Sequence, residues 1–170
     1  MTSPATTAES ASNDGQLSLK RFSNLTLKLD TPKGRGVFST VDIARGTVID
    51  ISPVLILEPE DKALESKQLY NYTYNWPYSE GETGKTTMRQ AVILGLGSMF
   101  NHSNFAQNVG FTRDPSKLVI VYTALRDIKA GEELCISYGS RLAFRDADED
   151  KYLSDPEEGN DLLSKIELDD

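Results

Sequence analysis

The chain of 170 residues is long enough to bury one hydrophobic core and too short to hold a second independent domain beside it. Its single cysteine cannot form an internal disulfide, no Cys/His cluster is present to hold a structural zinc, and no run approaches the roughly 18 apolar residues that span a bilayer. The net charge of −8 resides in residues 146–170, where eleven carboxylates face two lysines; the remainder is close to neutral and lacks clustered Lys/Arg, so no direct nucleic-acid partner is expected.

Residues 1–16 are polar and Ser/Thr/Ala-rich, with neither the basic start nor the apolar stretch of a secretory leader, and read as a disordered tail on a soluble, intracellular protein. From residue 17 the texture becomes that of a folded domain. Leu25, Leu27 and Leu29 alternate with polar residues and predict a half-buried strand ended by Thr31-Pro32-Lys33-Gly34. Val37-Phe38, Val48-Ile49-Asp50-Ile51 and Val54-Leu55-Ile56-Leu57 predict further short strands, with Pro53 marking an edge or bulge between the last two. Asp42-Ile43-x-x-Gly46 and Asp127-Ile128-x-x-Gly131 share one form, best explained as tight turns whose glycines supply positive φ. Residues 59–69 carry weak helical character. Tyr70, Tyr72, Tyr74 and Trp76 then recur with period 2, which places four aromatics on one face of an extended segment. An apolar run punctuated by glycines leads into Asn101, and residues 119–122 and 134–138 read as two more strands. After about Phe144 the chain is acidic, with Leu162, Leu163 and Ile166 able to form one apolar helical face. Many short strands and few helices predict a mainly β single domain over residues 17–145, between tails at 1–16 and 146–170.

Several chemistries can be set aside from residue types alone. His102 is the sole histidine, and Ser103 follows it directly rather than sitting on a G-x-S-x-G elbow. No phosphate loop is present, and Gly34-x-Gly36 lacks the third glycine of a dinucleotide fingerprint.

Three segments remain. Gly34-Arg35-Gly36-Val37-Phe38, Asn101-His102-Ser103 with Asn108 following, and Glu132-Glu133-Leu134-Cys135-Ile136-Ser137-Tyr138-Gly139 resemble, in order and approximate spacing, the motifs of SET-domain protein-lysine methyltransferases of the short, stand-alone kind. The resemblance covers roughly residues 22–145. It implies small curved sheets with a knot-like crossing of the last two motifs and a short helical insert. It also implies S-adenosylmethionine as cofactor, held by Lys33, Gly34, Arg35, Gly36 and Val37, by Asn101 and His102, and by Tyr138, whose hydroxyl would lie near the transferred methyl. The reaction needs orientation more than acid/base machinery, because a sulfonium leaves as a neutral thioether. An aromatic channel would depress the pKa of the incoming lysine and attract methylated ammonium products. Tyr70, Tyr72, Tyr74, Trp76 and Phe144 are candidates for its wall, with core packing as the competing role for the first four.

The residue three positions after the motif asparagine faces the lysine nitrogen in this family; counting from Asn108 gives Phe111 and implies di- or trimethyl-lysine as product. Two departures from the family pattern stand out. One extra residue separates His102 from Asn108, with Ala106-Gln107 where a proline is expected, and the cysteine-rich flanks of many histone-directed members are absent. Phe144 and residues 162–168 could supply the substrate lid instead. The expected partner is a lysine-bearing protein, first of all the histone H3 tail, in the nucleus and/or cytoplasm, without membrane attachment and with a homodimer left open. The alternatives are a translation or ribosomal protein as substrate, or a silent SET module serving as a scaffold.

Overall fold

A computed structural model describes residues 17–81 and 84–139. Phe144, both tails and the 162–168 segment lie outside the described residues.

The first pair of strands, β1 (Leu25–Thr31) and β2 (Gly34–Ser39), forms an antiparallel hairpin in which Leu25 faces Ser39 and Thr31 faces Gly34. Its turn is tied by Thr31 Oγ1, which accepts from Lys33 N at 3.1 Å and donates to Gly34 O at 2.7 Å, while Gly34 takes φ +83°. The alternating leucines do form a strand, but their face is not covered: Leu27 and Leu29 are exposed, Leu29 by 71%. Only Leu25 of the three packs against the core. Alternation identifies a face of the ribbon and carries no information on whether another layer reaches it.

The main sheet has five antiparallel strands in the order β4-β5-β3-β8-β7, with β3 (Val48–Leu57) in its centre, β4 (Thr73–Glu80), β5 (Lys85–Ile93), β7 (Val109–Asp114) and β8 (Val119–Ala124). The two runs flanking Pro53 are one continuous strand, and Pro53 lies at neither an edge nor a bulge. Residues Val48–Pro53 pair with β8 and Val54–Leu57 pair with β5, so β3 exchanges partners at the proline. A residue with no N–H is tolerated where one ladder ends and the next begins. The irregularity in register falls earlier, between Val48 and Asp50.

Residues 59–69 contribute the expected helical insert, a 3-10 turn at Lys62–Glu65 and one α-helical turn, α1 (Lys67–Tyr70), whose first amides include Leu69 N donating to Ser66 Oγ at 3.3 Å. The two D-I-x-x-G segments are turns that face each other. Ile43 and Ile128 exchange backbone hydrogen bonds; Asp42 Oδ1 accepts from Ala130 N and Asp127 Oδ1 accepts from Arg45 N. Their glycines, Gly46 and Gly131, take φ +81° and +86°. Last, β6 (Asn101–His102) and β9 (Cys135–Ile136) form a parallel pair, Asn101 beside Cys135 and His102 beside Ile136. Residues 134–138 thus contribute only two residues of strand. The core runs beneath these elements through Val37, Ile49, Trp76, Phe100, Ile120, Tyr122, Leu134 and Ile136, with Phe100 edge-on to Tyr122 at 5.1 Å between ring centroids.

Candidate active site

A cleft of about 1400 Å³ opens between the β1–β2 turn, the start of β4, the 3-10 turn Leu96–Met99, β7 and residues 137–139. One end is built from glycine-rich backbone and amides, the other from aromatic rings, and Tyr138 stands between them.

At the first end, Lys33, Gly34, Arg35, Asn101 and His102 line the cleft, as the motif order led us to expect. Val37 does not; it is buried at 1% exposure and belongs to the core, because its side chain alternates inward from the cleft-facing backbone. Gly36 is buried between the two motifs. A Cβ there would collide with Glu133 Oε1 and lie 3.0 Å from Asn101 Nδ2. Those two groups are themselves bonded: the Asn101 amide donates to Glu133 Oε1 at 2.8 Å and to the Arg35 carbonyl at 2.9 Å. With both N–H groups so used, the Asn101 carbonyl oxygen has no donor among the described residues and is open to accept from a cation. Lys33 Nζ donates to the His102 carbonyl at 3.0 Å, which places a positive charge beside the same wall.

Asn108 settles into the structure despite the longer loop before it. Its amide donates to the Glu133 carbonyl at 2.7 Å and to Glu132 Oε1 at 3.1 Å, and its Oδ1 accepts from Cys135 N at 2.9 Å, all with the residue fully buried. The extra residue is taken up before it, where Ser103 Oγ accepts from Ala106 N. The His102 ring accepts from Tyr138 N through Nδ1 at 3.0 Å, so the neutral imidazole carries its proton on Nε2. Tyr138 is held a second time by its hydroxyl, which donates to the Phe100 carbonyl at 2.7 Å. The residue as a whole is 46% exposed, but its hydroxyl is directed inward, and burial followed by the neighbouring Tyr74 pushes its pKa well up.

At the second end, Phe111 meets Tyr74 edge-on at 5.7 Å and Tyr122 at 6.0 Å between ring centroids. The Tyr74 hydroxyl donates to the Gly97 carbonyl at 2.9 Å, and burial pushes its pKa up to about 12, so it remains a neutral hydrogen-bonding group throughout the physiological range. Tyr70, Tyr72 and Tyr74 line the cleft, but not as one strand face: α1 ends at Tyr70 and β4 begins only at Thr73. Trp76 is fully buried core and contributes nothing to the cleft wall. Period 2 does not distinguish a strand that reaches a cleft from one that runs beneath it.

Three supporting residues received no role in the sequence reading. Glu133 lay inside a quoted motif but only its contact with Asn101 reveals its task. Asp50, at 1% exposure, accepts from Arg21 Nε at 3.1 Å, from the Ser52 hydroxyl and from Leu96 N at 3.2 Å, and so anchors the turn whose Gly97 carbonyl orients Tyr74. Arg113 lies with its guanidinium carbon 5.0 Å from the centroid of Phe111. Neither Asp50 nor Arg113 sits in a sequence pattern that marks it: Asp50 is a lone charge within an apolar strand and is set apart by its burial, whereas Arg113 is half-buried and stands directly before Asp114.

Comparison with known proteins matches residues 34–139 to the SET domain. Over 140 residues, 80% of this chain and 88% of the relative, it is 44% identical to a Schizosaccharomyces pombe protein described as a histone-lysine N-methyltransferase, H3 lysine-37 specific. Among solved structures, a Plasmodium falciparum protein proposed to be a histone methyltransferase superposes with TM-score 0.51 at 24% identity, covering 70% of this chain and 96% of that one. CpSET8 from Cryptosporidium superposes with TM-score 0.50 at 20% identity, covering 71% and 59%. These two likenesses are of fold.

Proposed function

The chain belongs to the SET-domain family and is a protein-lysine N-methyltransferase, and on that premise we propose that it methylates histone H3, with lysine-37 of the tail as its site, using S-adenosylmethionine. What supports the substrate is the 44% identity to the H3 lysine-37 enzyme across four-fifths of the chain. A protein acting on chromatin would do so in the nucleus.

The residues present fit the cofactor. Gly34 leaves backbone open to close approach, the unused Asn101 side-chain carbonyl oxygen suits an α-ammonium group, and Lys33 brings a positive charge to the same wall. When bound, S-adenosylmethionine supplies a methyl group activated by a sulfonium. Tyr138, anchored at both its N–H and its hydroxyl, holds the junction between that end and the aromatic end at fixed geometry, which is where rate is gained when no acid or base is needed. Tyr74, Phe111 and Tyr72 line the substrate's approach. Their apolar faces disfavour an ammonium relative to a neutral amine and lower the lysine pKa from about 10.4, so that more of the bound lysine carries a free lone pair.

Incubating recombinant H3 with enzyme and cofactor should add mass to the peptide containing lysine-37, and changing that lysine to arginine should abolish the addition. S-adenosylmethionine should also raise the thermal midpoint, since a ligand of the folded state stabilises it by mass action. A midpoint unmoved at millimolar cofactor would favour a silent module; methylation retained after the lysine is replaced would overturn the site.

Phe111 bears on how many methyl groups are added. The Phe111 ring carries no hydroxyl with which to hold the amine, so a methylated lysine beside it can turn its lone pair back toward the donor. The enzyme should therefore reach di- or trimethyl-lysine, and Phe111→Tyr should shift product toward monomethyl by about tenfold, which needs only about 1.4 kcal/mol of barrier difference. Intact-mass time courses on one peptide check this; an unchanged distribution would remove Phe111 from the role.

A further inference from the structure

We infer that Arg113 is a specificity-determining residue, which reads an oxygen acceptor on the substrate beside the target lysine. The inference rests on the cleft being a lysine-peptide site, and the measurement below is chosen so that the two can fail separately.

Arg113 and Phe111 are two apart on β7 and so share one face of the strand. Both line the cleft, and the guanidinium lies 5.0 Å from the Phe111 ring centroid, at the aromatic end. Three arginines of the described structure pair with carboxylates, Arg21 with Asp50, Arg89 with Glu58 and Arg126 with Glu132, and Arg35 reaches the Tyr72 hydroxyl. Arg113 forms no such pair among the described residues, and its Nε is buried with no hydrogen-bond partner there. A buried donor with no acceptor is a costly arrangement, and it becomes favourable once a ligand supplies the oxygen.

The surroundings define what that ligand group must be. Among the described residues lining the cleft, the charged side chains are Lys33, Arg35 and Arg113, and no carboxylate joins them. Lys33 and Arg35 stand at the Gly34 end, where they face the cofactor site. Arg113 stands alone at the aromatic end, beside Tyr74 and Tyr122, whose hydroxyls feel its charge. Its rigid fork of donors suits a carboxylate or a carbonyl, and a lysine or arginine side chain in the same place would meet repulsion from it. The acceptor is thus a Glu or Asp side chain flanking the target lysine, or a main-chain carbonyl of the peptide.

A lysine-centred peptide array in an H3 host and in a neutral Gly/Ser host, with each flanking position in turn glutamate, glutamine or lysine, tests this with the parent enzyme, Arg113→Glu, Arg113→Met and Arg113→Lys. If a side chain is read, the parent prefers glutamate over lysine at one position by roughly tenfold in kcat/KM, mainly through KM. Arg113→Glu then reverses the order at that position and no other, and Arg113→Met flattens it. If a main-chain carbonyl is read, the parent shows no charge preference, Arg113→Met raises KM for every peptide by a similar factor with kcat kept, and Arg113→Lys recovers part of the loss. Identical KM and charge profiles in parent and variants would overturn the inference. So would a fall in kcat at unchanged KM, which is what a role confined to supporting the Phe111 ring would give. Peptide affinity is read in parallel by fluorescence anisotropy; peptides bound with the expected charge profile but never methylated would count against the enzymatic reading and not against Arg113.

Discussion

Tyr138→Phe is expected to lower kcat about 100-fold while leaving S-adenosylmethionine affinity within about twofold. The substitution removes one oxygen and keeps the ring and the backbone N–H, so the bond from Tyr138 N to His102 Nδ1 survives and the wall on the cofactor side is undisturbed. What is lost is the bond to the Phe100 carbonyl and, with it, the fixed polar group at the meeting point of donor and acceptor. A group of this kind acts mainly on the aligned state, which is why the loss should appear in turnover and not in binding. The Phe100 carbonyl loses its donor as well, at a cost of about 1 kcal/mol, so the folded fraction must be verified from the thermal midpoint before rates are compared. Single-turnover measurement with saturating cofactor separates the terms, and near-parental turnover would take Tyr138 out of the mechanism.

Gly36→Ala should weaken cofactor binding by tenfold or more and destabilise the fold by about 1–3 kcal/mol. The added carbon strikes the carboxylate end of the Glu133 side chain, while the backbone there stays fixed by its bridge to Phe38 and by Leu134 N donating to the Val37 carbonyl. The Glu133 carboxylate must therefore swing away, which frees one Asn101 N–H and lets the amide rotate, so its carbonyl oxygen no longer presents a fixed acceptor. Calorimetry and chemical denaturation read the two effects separately. Adding Glu133→Ala to Gly36→Ala vacates the contested volume and should return part of the stability, but not the affinity, because the Asn101 clamp stays broken. Parental affinity in Gly36→Ala would mean that Asn101 needs no such support.

Gly34, Asn101, His102 and Tyr138 stand out in the sequence through their resemblance to the SET-domain motifs, and all four line one cleft. Residues whose role depends on which layer covers them are not legible in this way. Trp76 and Tyr74 follow the same period, yet the first is under the sheet and the second at its margin. Leu29 follows the rule for a buried strand and is exposed, because the hairpin that carries it extends past the core. Pro53 reads in the sequence as an edge or bulge, whereas it marks a change of neighbour within one strand. Glu133 and Arg113 are charges whose meaning lies in a partner 32 residues distant in the first case and in a buried Nε without an acceptor among the described residues in the second.

The parallel pairing of β6 with β9 also governs when the protein becomes competent. The donor-side wall is held by contacts that reach across the chain: Asn101 to Glu133, Asn108 to the Glu133 carbonyl, and Tyr138 N to His102, the last over 36 residues. Local segments can collapse early, but loops of this span close late, after the entropy of joining distant stretches has been met. Until residues 133–138 arrive, Asn101 has no carboxylate to orient it, His102 has no donor to set its tautomer, and Tyr138 is not in place in the cleft. A chain still being synthesised, or one that has opened at this crossing, therefore lacks the contacts that order this wall of the cleft.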